Sequence, residues 1–165
     1  MKKAGISLLL LVLWPYLGIA FADIQARYAL FPEMPNSVWQ VWLAGAGVLC
    51  LLNIIVALRQ TEKPVLAGMI AKLLLIPFYG ISFFLGMLLL AAPPAVIILF
   101  LLDGLYMLAT SAYTLRGVYL AWRGGRLSAG WAIALAFSQC IFVLDVPGSI
   151  AAHCMTKKKK EAPPC

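Results

Sequence analysis

Charge is what this sequence has least of. Only 12% of its 165 residues are Asp, Glu, Lys or Arg, six of them acids, and His153 is the lone histidine. The four cysteines, Cys50, Cys140, Cys154 and Cys165, form no C-x-x-C pair, and one histidine cannot complete the usual zinc-finger spacing. Walker A, H-E-x-x-H and G-x-S-x-G motifs are also missing. These absences leave no cofactor, no metal and no catalytic residue to expect, so an enzyme has no motif in its support. What is present in quantity is hydrocarbon: 64% hydrophobic residues and a mean hydropathy of +0.96. Because about 20 apolar residues cross a bilayer, five such segments fill most of the chain, which excludes a separate soluble catalytic or nucleic-acid-binding domain. The net charge of +7 then reports orientation and contact with anionic headgroups.

The hydropathy pattern predicts an all-α, polytopic transmembrane bundle of about five helices around a central hairpin of two long ones. Residues 1–22 form the first helix. Its apolar run from Ala4 to Ala22 follows two lysines and ends in a small-x-small pattern, so it reads as a retained signal-anchor, with a cleaved signal peptide as the alternative. Residues 23–40 form an interfacial loop, rich in breakers and headgroup-seeking rings such as Tyr28, Phe31 and Trp39. A four-helix region, residues 41–154, follows. Its spans run from Val41 to Leu58, Val65 to Ala92, Ala95 to Trp122 and Trp131 to Ala152, with Pro93-Pro94 making a tight turn between the two long helices. Small residues, Gly45, Ala46 and Gly47 on one span and Gly80 and Gly86 on the next, are expected at close helix approaches, and Asn53 at an interhelical hydrogen bond.

A basic, disordered tail occupies residues 155–165, and Lys157, Lys158, Lys159 and Lys160 are suited to anionic lipid headgroups. Here the pattern contains a conflict. Five crossings from a cytoplasmic start place Lys2, Lys3, Arg59, Lys63, Arg123 and Arg126 inside but the four tail lysines outside, against the positive-inside rule. Cys50 and Cys140 lie within apolar runs as small buried thiols. Cys154 and Cys165 could pair only in an oxidising compartment.

Ionisable groups at membrane depth carry the functional expectation. Lys72 and Arg116 are long enough to snorkel toward headgroups. Asp103 is not: roughly 15 Å below Pro93-Pro94, it must face protein or water. On a helical wheel Asp103, Tyr106, Thr110 and Tyr113 form one polar stripe, and Lys72, Tyr79, Ser82 and Gly86 form another on the preceding helix. Folding the hairpin at Pro93 sets Asp103 level with Ser82 or Phe83, and Lys72 near Thr114. Ser138, Asp145 and Ser149 share a face of the last span, which places Asp145 within a turn of Asp103. The candidate intramembrane polar site is therefore Asp103, Asp145, Tyr106, Tyr79, Ser82, Ser138 and Ser149. Two readings of it stand open: the acids accept hydrogen bonds and lock helices together, or they bind a proton, a cation or a polar headgroup.

The run Lys72-Leu73-Leu74-Leu75-Ile76-Pro77-Phe78-Tyr79, with Asp103 to Tyr113 and Phe142-Val143-Leu144-Asp145-Val146, resembles small uncharacterised integral membrane proteins of Gram-positive bacteria. The resemblance covers roughly the last two-thirds of the chain. It implies a multi-pass protein of a bacterial plasma membrane and lends no activity. The functional expectation is a structural or accessory subunit of a larger membrane complex. A proton- or cation-linked carrier or channel-like subunit using Asp103 and Asp145 is the alternative, and a membrane enzyme comes third.

Overall fold

The chain, seen in a computed structural model that describes residues 2–28, 36–60, 64–91, 93–139, 141 and 144–158, forms six α-helices and no strand among those residues. They are α1 (Lys2–Tyr28), α2 (Asn36–Arg59), α3 (Pro64–Leu88), α4 (Pro93–Arg123), α5 (Ala129–Ser138) and α6 (Asp145–Lys158), with a single 3-10 turn, Leu89–Ala91, closing α3. The all-α bundle read from the sequence is the observed fold. Four of the helices, α1 to α4, each contain a stretch long and apolar enough to cross a membrane.

Local sequence explains where the helices begin and bend. Pro64 and Pro93 open α3 and α4, where a missing N–H leaves no hydrogen bond unmade. Pro77 lies inside α3 and removes one intrahelical bond. In that turn the Tyr16 hydroxyl of α1 donates to the Leu74 carbonyl, next to the Leu73 carbonyl that Pro77 leaves without its helical donor, and ties α1 to α3 at the proline. Helices α1 and α2 extend into the expected interfacial loop from both sides, and its middle, residues 29–35, lies outside the described residues.

Packing is arranged around glycines and one asparagine. Trp14 lies over Gly45 while Trp42 lies over Gly18, so α1 and α2 exchange an indole for a glycine in both directions. Between α3 and α4 the close approaches are Gly68, against Thr110, Tyr113 and Thr114, and Gly117, against Val65. Gly47, Gly80 and Gly86, expected at such contacts, instead face open space: a Cβ on any of them meets nothing within 4 Å. The interior between α1, α2, α3 and α4 is filled by Leu11, Cys50, Leu75, Phe78 and Tyr106. Asn53 makes the interhelical bonds expected of it: its Nδ2 donates to the Ser7 carbonyl at 3.0 Å, and its Oδ1 accepts from Tyr113 at 3.0 Å, joining α1, α2 and α4.

The last apolar segment departs from expectation. It is two short helices, not one continuous span. Helix α5 enters from the end marked by Arg123 and stops at Ser138, and α6 restarts at Asp145 and returns. Leu135 and Ala152 share one cluster with Val65, Val118, Ala121 and Leu127, and Ala132 and Met155 pack on it. Those neighbours require an antiparallel fold-back, since a straight helix would separate Leu135 from Ala152 by about 25 Å. The register of α6 against α4 agrees: Ser111 meets Asp145 and Thr114 meets Ser149, so the two run parallel. Asp145 and Pro147 suit a helix start, the carboxylate by the positive end of the helix dipole and the proline where no N–H is needed.

A consequence is that α6 ends on the same side as Arg59 and Arg123. Ser7 beside Asn53 places the start of α1 there too. Lys2, Lys3, Arg59, Arg123, Arg126, Lys157 and Lys158 thus belong to one end of the bundle. The conflict over the tail came from counting the last segment as a crossing, and it disappears with the fold-back. Residues 159–165, with Lys159, Lys160 and Cys165, lie outside the described residues.

Candidate functional site

At the tip of the α5–α6 hairpin the bundle holds a buried ion pair. Lys72 of α3 is wholly buried, and its Nζ donates to a carboxylate oxygen of Asp145, whose side chain is 4% exposed. Nζ also donates to Gln139 Oε1 and to Ser149 Oγ, the latter at 3.0 Å. An ammonium group has three hydrogens, and here each has an acceptor. Asp145 accepts a further bond from Ser111 Oγ at 3.0 Å. Ser149 donates to Gln139 Oε1 at 3.0 Å or to its own helix at the Asp145 carbonyl, 2.8 Å, and contacts Thr114 Oγ1 at 3.3 Å. Residues from α3, α4, the hairpin tip and α6 therefore converge on one charge. The approach is close enough that a Cβ on Gly148 would overlap Ser138 Oγ and Gln139 Nε2.

This arrangement corrects two expectations. Lys72 does not snorkel; a fixed acceptor set inside the bundle replaces the headgroup region as its solvent. Asp103 and Asp145 do not share a layer. Asp145 is level with Ser111, eight residues or about 12 Å along α4 from Asp103, because α6 runs parallel to α4 rather than continuing α5 across the membrane. Arg116 extends toward the basic end as expected, where its Nε donates to the Gln60 carbonyl at 3.4 Å and its guanidinium lies over Tyr119.

The remaining candidate residues divide between two places. Ser149 belongs to the Lys72 cluster, and Ser138 borders it, donating to the Leu135 carbonyl and accepting from Gln139. Ser82 and Asp103 come together across the α3–α4 hairpin, as folding at Pro93 predicts. They lie, with Tyr79, in a groove of about 500 Å³ that opens on the outside of the bundle. Tyr79 packs against Phe78 at the groove wall. Tyr106 is fully buried, edge-on to Phe78, and touches neither acid through a hydrogen bond. Among the described residues no group of three or more metal-ligating side chains forms.

No family model, curated protein or solved structure matches this chain.

Lys72, Gln139, Ser111 and Thr114 are the cluster members absent from the candidate site read from the sequence. The signal available for them was the Ser138-Gln139 pair in mid-segment followed by Asp145-Val146-Pro147-Gly148. Polar residues before a gap and a helix-starting proline after it mark an interruption, not a span.

Proposed function

We propose that this protein is a small structural or accessory subunit of a membrane complex, retained in the membrane of a bacterium by α1 as a signal-anchor and oriented with its basic end toward the cytoplasm. The carrying observation is the saturation of Lys72. Its three donors all have acceptors in the chain itself, and Asp145 is engaged by both Lys72 and Ser111. A charge held in that way ties a re-entrant hairpin to the bundle and leaves no valence for cargo. The alternative, a cation-linked carrier using Asp103 and Asp145, needs both acids on one path, whereas they are about 12 Å apart along α4 and only Asp103 opens on a groove. Support for the cytoplasmic side comes from the basic residues gathered at one end, and those of the tail, Lys157 to Lys160, are placed in the sequence to meet anionic headgroups.

The test is extraction of the native membrane in mild detergent followed by sizing and mass spectrometry. An accessory subunit elutes with a second polypeptide at constant stoichiometry. A lone 17.9 kDa chain that takes up cations in a pH-dependent way, and loses uptake with Asp103→Asn and Asp145→Asn, would establish the carrier instead.

A further inference from the structure

The second acid has a different setting from the first. Asp103 sits half-buried in the groove between the Pro93 halves of α3 and α4, walled by Tyr79, Phe83, Met87 and Phe100. Ser82 lines the same groove, and Oδ1 of the Asp103 carboxylate has no hydrogen-bond partner among the described residues. The one buried cation among the described residues, Lys72, is ten residues or about 15 Å from Ser82 along α3 and is saturated by its own cluster. An acid at membrane depth with an open acceptor and no counter-ion among the described residues calls for a cation that carries an N–H.

We propose that this groove binds the protonated amine of a lipophilic amphiphile, the ammonium on Asp103 and the hydrocarbon along the aromatic walls. Three features fit that ligand class. The volume of about 500 Å³ falls in the range of small-molecule sites, whereas a transmembrane helix fills roughly 400 Å³ per turn and would place hardly more than one turn in it. Phe83 and Phe100 line the groove with aromatic rings, the side-chain type that attracts a cation, and Met87 and Met107 are adaptable apolar surface. Gly86 and Gly104 keep the floor low, since a Cβ on either meets nothing within 4 Å.

The full chain is tested in nanodiscs of phosphatidylcholine with radiolabelled dodecylamine, dodecyltrimethylammonium and dodecanol, against empty nanodiscs. Dodecylamine is expected to bind saturably, and the trimethyl compound, which has charge but no N–H, more weakly. Dodecanol should only partition. Asp103→Asn is expected to weaken the amine about tenfold or more, the loss of one charge-assisted bond. Gly104→Leu and Gly86→Leu, whose Cβ atoms meet nothing within 4 Å and whose side chains would occupy the groove, should abolish saturable binding without lowering the unfolding midpoint. Amine binding no greater than in empty nanodiscs, or equal in wild type and Asp103→Asn, would overturn the proposal. So would a photocrosslinker at position 104 that captures a second polypeptide in native membranes, since the groove would then belong to a partner helix. None of these outcomes depends on the accessory role, which the extraction experiment decides separately.

Discussion

Replacing Lys72 with methionine keeps an unbranched apolar stem out to the ε position and removes the terminal ammonium with its charge and donors. The loss can be sized from the cluster. Three donor bonds vanish, Gln139 Oε1 and Ser149 Oγ keep each other as partners, and Asp145 is left 4% exposed with the single bond from Ser111. An uncompensated charge in such a site costs about 3–5 kcal/mol. Asp145→Asn alone strands the ammonium and should cost a similar amount. The double variant Lys72→Met/Asp145→Asn removes both charges, and its destabilisation should fall well below the sum of the singles, with a coupling energy of about 2 kcal/mol or more. Unfolding free energies measured by denaturing-detergent titration of all four proteins supply the cycle. Additive singles, with coupling under about 0.5 kcal/mol, would refute the reasoning, because the pair would then not hold the hairpin. So would a Lys72→Met protein as stable as the parent.

Further outcomes follow from other parts of the bundle. With the remaining cysteines replaced, a membrane-impermeant maleimide should label Cys154, which is exposed, from the same side as a cysteine at position 126; labelling from opposite sides would restore a fifth crossing. Asn53→Leu strands the Tyr113 hydroxyl and loses the α1 contacts, and should cost about 1–3 kcal/mol in the same titration. Gly117→Ala places a Cβ 2.0 Å from Val65 and should cost about 1–3 kcal/mol by overpacking. Gly80→Ala meets nothing within 4 Å and should instead stabilise by about 0.4–1 kcal/mol. Equal effects at positions 80 and 117 would contradict the described α3–α4 contact.

The central hairpin was legible in the sequence to within about a turn of its register, because a two-proline turn fixes where antiparallel helices fold back and helical rise does the rest. Ser82 and Asp103 line one groove as that reading expects, whereas Thr114 lies opposite Gly68, about one turn from its expected place beside Lys72. The Lys72–Asp145 pair was not legible, for a specific reason: hydropathy measures how apolar a segment is, not whether it crosses. The largely apolar 22-residue stretch from Trp131 to Ala152 satisfies a spanning criterion even when it doubles back. The clue lay in electrostatics, where four tail lysines on the wrong side are the signature of a miscounted crossing. Close packing at Gly68 and Gly117, and open space at Gly80 and Gly86, needed helix rotation, which composition does not contain.

The ion pair joins residues 73 positions apart, and a chain made at about 5–20 residues per second reaches Asp145 roughly 4–15 s after Lys72 has left the ribosome's active centre. Throughout that interval α3 has its ammonium but lacks the counter-ion. Biogenesis must therefore either hold α3 back at an aqueous boundary or lend it a temporary host, and the final forty residues deliver the release signal.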